Sequence, residues 1–209
     1  MNRLLQGDVG SGKTAVAAAL VYSAAKNSMQ SALMAPTEVL AEQHYKTFLK
    51  LFEGCSINVE LLTGSDTAAQ KRRKKEALKA GEIDLLIGTH AIIQSDVEFK
   101  SLALVITDEQ HRFGVEQRNA LGEKGKNPHL YVMSATPIPR TLGLIIYGDL
   151  DISVIDEYPA GRQYIDTYLV DSSYRGRVYN YIKKHLGEGR QAYIVCPLVE
   201  EGDGGIDES

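Results

Sequence analysis

The chain lacks tryptophan and carries only two cysteines, six prolines and four phenylalanines in 209 residues. Cys55 and Cys196 stand far apart, which excludes a disulfide framework and any thiolate cluster of zinc-binding spacing. Both read as reduced, buried thiols. No apolar run approaches the ~18 residues of a membrane span, and no secretory leader opens the chain. A cytoplasmic protein that does not enter membranes is the expectation. The net charge of −4 excludes a protein that coats nucleic acid through a generally basic surface. It leaves room for a local face built from turn donors and a few Arg or Lys side chains. Tyrosines number 11, but without tryptophan or regular aromatic interleaving there is no base-stacking platform of the single-strand type.

What is present begins with the octapeptide Gly7-Asp8-Val9-Gly10-Ser11-Gly12-Lys13-Thr14. It follows the apolar Leu4-Leu5 and runs into the alanine-rich stretch 15–20, which has strong helix propensity. Strand, glycine turn and helix form the context in which this spacing cradles phosphates. Gly7, Gly10 and Gly12 permit backbone angles and a close approach that a Cβ obstructs. Exposed N–H groups and the positive end of the new helix then face the anion. The nucleotide-binding set is Gly7, Asp8, Gly10, Ser11, Gly12, Lys13 and Thr14. Lys13 reaches the β- and γ-phosphates, and the Thr14 hydroxyl ligates magnesium. ATP or GTP with Mg2+ is implied; the use of the energy is not.

About a hundred residues on, Leu102-Ala-Leu-Val-Ile-Thr-Asp108 reads as a buried parallel strand ending in acid, with Glu109 next. Asp108 is placed to hold magnesium through water, and Glu109 to orient the attacking water and accept its proton. Lys13, Asp108 and Glu109 are thus the candidate catalytic residues, and Thr14 and Asp108 the candidate metal ligands.

Further apolar segments, at 4–6, 32–34, 58–62, 84–87, 104–106, 131–133 and 151–154, alternate with helical stretches. That alternation predicts an α/β fold with a mostly parallel sheet and helices on both faces. Small or hydroxylated turns follow several of these strands: Thr37-Glu38, Thr63-Gly64-Ser65 and Thr89-His90. Open α/β sheets place binding loops at such strand ends, and Thr37 is also a plausible helix cap. Asp156-Glu-Tyr-Pro-Ala-Gly161 is a turn-rich break. It suggests one domain over 1–160 and the start of a second α/β domain over 161–209. In the second, 164–170 and 191–196 are expected strands around a helix at 174–186. The acidic, glycine-rich end from Glu200 is expected to be mobile.

With Gln110 and His111 after the two acids, and Ser134-Ala135-Thr136 after a buried strand, the chain resembles superfamily 2 helicases. Five segments make the resemblance closer: Leu5 to Thr14, Ala35-Pro-Thr-Glu-Val-Leu-Ala-Glu-Gln-His44, Ile87-Gly-Thr-His90, Asp108-Glu-Gln-His-Arg-Phe-Gly-Val115 and Met133-Ser-Ala-Thr-Pro-Ile-Pro-Arg-Thr141. Together they are similar to the RecG family of bacterial ATP-dependent DNA helicases, from about Leu4 to Glu201. The resemblance implies a RecA-like P-loop motor domain followed by an incomplete second one. It implies ATP-driven remodelling of branched DNA and stalled replication forks, with duplex and branched DNA as partners. Gln110, His111, Ser134 and Thr136 are then expected to couple nucleotide state to the DNA path. Thr37, Thr63, Gly64, Thr89 and His90 are expected to contact DNA. The family's arginine-bearing motif and junction-binding wedge have no counterpart here, so the chain alone is expected to be a monomer with barely detectable turnover, dependent on the remaining helicase domains. Two alternatives stay open: a transcription-repair coupling translocase of the Mfd type, and a nucleotide-sensing module without turnover.

Two features carry less weight. Lys71-Arg-Arg-Lys-Lys75 reads as an exposed helix face, with a duplex contact as the second reading. His44 and His185 read as ordinary surface or helix-packing histidines.

Overall fold

The computed structural model describes residues 1–108, 124–125, 127–135, 150–157 and 165–195. Its centre is a sheet of seven strands: β1 (Asn2–Gly7), β2 (Gln30–Met34), β3 (Val59–Leu62), β4 (Leu85–Gly88), β5 (Leu102–Asp108), β6 (His129–Ser134) and β7 (Asp151–Ile155). All neighbours pair in parallel, in the order β3-β4-β2-β5-β6-β1-β7. Every apolar segment expected to be a strand before the turn-rich break is one. A parallel sheet covered on both faces explains why these segments are nearly continuous in apolar residues: both sets of side chains are buried.

Alternation sends successive side chains to opposite faces. Leu33, Leu85, Ile87, Ile106, Tyr131 and Met133 join one core, under α1 (Lys13–Lys26) and α2 (Glu38–Leu51). Ala32, Met34, Leu86 and Val105 join the other, with Leu78 of α3 (Ala68–Ala80) and Ile92 of a 3-10 turn at His90–Ile93. One irregularity breaks the pattern. Gln30 pairs with Leu102 but Ser31 with Leu104, so Ala103 is an extra residue. The bulge puts Leu102 on the same side as Val105, opposite Leu104.

Beside this bulge Gln30 is buried and makes four hydrogen bonds. Its Nε2 donates to the carbonyls of Leu78 (2.9 Å) and Ile83 (2.8 Å). Its Oε1 accepts the N–H groups of Lys100 (2.7 Å) and Ser101 (3.0 Å). The amide thereby joins β2 to the end of α3 and to the entry of β5.

The helices begin and end where their sequences say. Thr37 caps α2 by accepting the Leu40 N–H (3.3 Å). Thr67 and Gln70 form a reciprocal capping box at α3. Gly81, in the left-handed region at φ 84°, ends α3. Cys55, expected to be buried, is exposed. It lies in the turn that closes α2, where its N–H bonds the Phe52 carbonyl (2.8 Å) and its side chain faces away from the core.

The chain divides into two compact units, Met1–Arg162 and Gln163–Ser209. In the second, α4 (Arg175–Gly187) forms where a helix was expected. The two flanking strands do not appear among the described residues: 165–170 and 191–195 pair with nothing and are exposed. A strand exists only through a ladder partner, and β-branched and aromatic composition alone supplies none. Cys196 and the acidic end lie outside the described residues.

Candidate functional site

Because all seven strands run the same way, their carboxyl ends share one edge. The turn after β1 carries the glycine-rich octapeptide. Gly10 (φ 81°) and Gly12 (φ 97°) both lie in the left-handed region, where a side chain is strained. Gly7 is constrained differently: a Cβ there would come within 2.6 Å of Ser11 Oγ and 3.1 Å of the Ile155 side chain. Gly12 is also the N-cap of α1, and no side chain caps that helix. A Ser or Asp cap would take first-turn N–H groups for itself; glycine leaves that end without a competing acceptor. No acidic residue sits in the first turn to repel an anion. These features fit a polyphosphate.

Lys13 folds back over the loop. Its Nζ donates to the carbonyls of Gly7 (2.7 Å) and Asp8 (2.8 Å). Asp8 turns its carboxylate to the Val9 N–H (2.7 Å), which shapes the loop crest. Behind it, Tyr131 is buried, with its hydroxyl 3.5 Å from the Lys13 carbonyl. Burial pushes the phenol well above its usual range, so it remains a neutral packing group. A cavity of about 330 Å3 opens beside the loop, lined by Gln6, Gly7, Asp8, Ala135, Ile155 and Asp156 among others.

Asp108 ends β5. In register it pairs with Met133 of β6, which pairs with Leu5 of β1. The acid therefore stands level with Leu5 of β1, two ladder spacings away, about 10 Å from the strand that launches the loop. His44 Nε2 lies 2.7 Å from Asp108 Oδ2. A carboxylate oxygen only accepts, so the imidazole nitrogen carries the hydrogen. Both side chains are largely shielded, at 12% and 15% exposure. Among the described residues no cluster of three or more His, Cys, Asp or Glu could hold a metal. Magnesium does not need one: it usually takes one or two protein ligands together with phosphate oxygens and water. Thr14 and Asp108 fit that pattern.

The family model for DEAD/DEAH box helicases matches residues 1–145, more than half of the chain. The chain belongs to the DEAD/DEAH box helicase family. Within this helicase family, its similarity to RecG covers nearly every residue. The ATP-dependent DNA helicase RecG of Bacillus subtilis is 58% identical over 203 residues, 97% of this chain and 30% of that protein. That of Aquifex aeolicus is 55% identical over 205 residues, 97% of this chain and 26% of that protein. The chain thus spans less than a third of the curated relatives it matches. A solved structure of RecG bound to a three-way DNA junction superposes with a TM-score of 0.81 at 48% identity, over 95% of this chain and 27% of that one. The helicase MrfA bound to DNA shares the fold (TM-score 0.58, 19% identity) over 75% of this chain and 25% of that one. The RecA-like fold and the RecG-type resemblance read from the motifs both hold; the Mfd alternative is not favoured.

The other residues singled out in the sequence distribute unevenly. Ser134 is buried at the end of β6. Thr37 spends an oxygen lone pair on its cap, which leaves its hydroxyl hydrogen to donate. Thr63 is buried, and its hydroxyl is shared with Ser65 (2.8 Å). The exposed Gly64 gives its N–H to Glu38 Oε1 (2.7 Å). Thr89 precedes the 3-10 turn without capping it, and His90 is exposed. Gly88, just before, brings β4 so close to β3 that a Cβ would collide with the Leu62 carbonyl oxygen. Glu109, Gln110, His111 and Thr136 lie outside the described residues.

The basic run on α3 is largely tied up. Lys71 bonds the Gly64 carbonyl (2.7 Å), Lys74 bonds Asp66 (2.8 Å), Lys75 bonds Asp96 (2.5 Å), and Arg72 faces Glu76 at 3.8 Å. His44, read from the sequence as an ordinary surface or helix-packing histidine, bonds Asp108, a link that reading did not foresee. A signal was available: Ala41, His44 and Phe48 are spaced at i, i+3 and i+7 on α2, and Ala41 and Phe48 are core residues. His44 therefore had to face the sheet.

Proposed function

We propose that this chain is the nucleotide-binding motor unit of a RecG-type DNA helicase, driven by ATP with Mg2+. Its substrates in the full-length protein are duplex and branched DNA at stalled replication forks, and it works in the bacterial cytoplasm. The observation that carries the reading is the shared strand edge. The octapeptide loop and Asp108 stand two strands apart at the same end of a parallel sheet. In open α/β sheets that edge is where ligands bind.

Lys13, which bonds the carbonyls of Gly7 and Asp8, reaches the β- and γ-phosphate oxygens when nucleotide binds. The first turn of α1 receives the phosphates, and Thr14 and Asp108 would hold the metal. Bound ATP supplies a transferable phosphoryl group. Glu109 orients the attacking water and takes its proton. Gln110, His111, Ser134 and Thr136 relay nucleotide state to the turns at Thr37, Thr63, Gly64, Thr89 and His90. The buried Thr63 acts there by shaping its turn, while exposed backbone and the Thr37 hydroxyl face the phosphate backbone of DNA.

The test is ATP turnover by the full-length protein with forked, linear duplex and single-stranded DNA. Forked DNA should stimulate most, and Lys13→Ala should abolish the stimulated rate. Turnover indifferent to every DNA would overturn the reading.

A further inference from the structure

We propose that His44 is a positioning residue for the metal-site carboxylate: it fixes Asp108 and ties that group, through helix α2, to the turns at the DNA-facing edge. This rests on the functional reading above. The ladder sets the backbone of Asp108 but leaves its carboxylate free to rotate. The 2.7 Å bond from His44 removes that freedom by occupying Oδ2. Oδ1 would then be the oxygen offered to a metal-bound water. Partners behind a metal ligand of this kind set its orientation, and their loss commonly costs about 10- to 100-fold in metal affinity.

A surface ion pair would carry no such role, but this pair is shielded from solvent on both sides. The helix that holds His44 is anchored on the same face by Ala41 and Phe48, both fully buried. At its other end Thr37 caps the first turn, and Glu38 Oε1 receives the Gly64 N–H. Thr37 and His44 are seven residues apart, about 10 Å along a rigid helix. Any shift of the Thr37 and Gly64 turns therefore moves the imidazole, and Asp108 with it. One helix spans both the edge that meets DNA and the carboxylate that meets metal.

The experiment uses the full-length protein as wild type, His44→Leu and His44→Gln. Binding of a fluorescent ATP analogue is titrated with Mg2+ and repeated in chelator, and turnover is read with and without forked DNA. His44→Leu should need about tenfold more Mg2+ for half-maximal binding. Its metal-free nucleotide affinity should be unchanged, and its DNA-stimulated turnover should fall more than its basal turnover. His44→Gln, whose amide nitrogen replaces Nε2 as donor, should recover most of the Mg2+ response. A merely structural histidine would not separate the metal-dependent from the metal-free affinity. Wild-type Mg2+ dependence in His44→Leu, or equal impairment of both variants, overturns the tie. If His44→Leu does not fold, His44→Asn, whose shorter amide cannot span to Asp108, takes its place. Wild-type protein that binds the analogue without any response to Mg2+ defeats the site reading itself, and the tie with it.

Discussion

Replacing Lys13 with alanine separates the two jobs assigned to this side chain. Its ammonium bonds two main-chain carbonyls of the loop, at 2.7 and 2.8 Å. A hydrogen bond with one charged partner contributes about 1.5–3 kcal/mol. In the proposed site, nucleotide binding would exchange neutral carbonyl acceptors for phosphate oxygens, so that these bonds are conserved and the added charge attraction is what is gained. The net gain is therefore nearer one such bond than two. It corresponds to a dissociation constant for Mg-ATP weakened about 10- to 150-fold in Lys13→Ala. The cost to the unliganded fold should be smaller, since Lys13 is only half-buried and water can replace it. Titration with a fluorescent ATP analogue measures the first effect, and a thermal scan of the same samples the second. Affinity within about twofold of wild type would refute the reasoning, because less than ~0.5 kcal/mol would then rest on the ammonium. A collapse in thermal stability matching the loss of binding would refute it too, by making the lysine a structural group.

Two further outcomes probe the scaffold. Gln30→Met keeps the volume but strands two carbonyls and two N–H groups inside the sheet; at about 1–3 kcal/mol for each group that cannot relax, the loss should reach about 3 kcal/mol or more in denaturant unfolding. A loss below about 1 kcal/mol would mean that water or a shifted backbone satisfies them. Asp66 is held below its ordinary value of 3.8: burial pushes it up, but the Lys74 ammonium, the Thr63 N–H and the charge of Lys71 outweigh burial. A lowered folded value gives stability that is full above the ordinary value and lost as pH falls through the lowered one. Urea midpoints should thus decline more steeply below about pH 4 in wild type than in Asp66→Asn.

Local chemistry made much of this legible from sequence. The strands could be placed because burial on both faces demands near-continuous apolar runs, as in Leu85–Gly88 and Leu102–Asp108. The loop could be placed because Gly10 and Gly12 occupy backbone angles that other residues resist. Thr37 announced its helix for the same kind of local reason. What could not be read is what depends on distant partners. Nothing in the chain says that β1 lies between β6 and β7, or that Ala103 bulges and re-aims Leu102. The link from His44 to Asp108 joins residues 64 apart in sequence. Thr63 looks like an exposed turn hydroxyl until its burial against Ser65 is seen. Residues 165–170 are rich in β-branched and aromatic side chains but have no ladder among the described residues, and Cys55 faces solvent because it lies in the turn after α2, three residues past the core residue Phe52.

In the proposed site the loop at Gly7–Thr14 and the carboxylate of Asp108 hold one metal–triphosphate between them. Manganese in place of magnesium makes this measurable: electron paramagnetic resonance reports Mn2+ bound with ATP, and phosphorus couplings report its phosphates. Tight Mn2+ binding that needs ATP, shows phosphate couplings, and weakens in both Thr14→Ala and Asp108→Asn is the expected result. Mn2+ that binds beside ATP equally well in Asp108→Asn would contradict it.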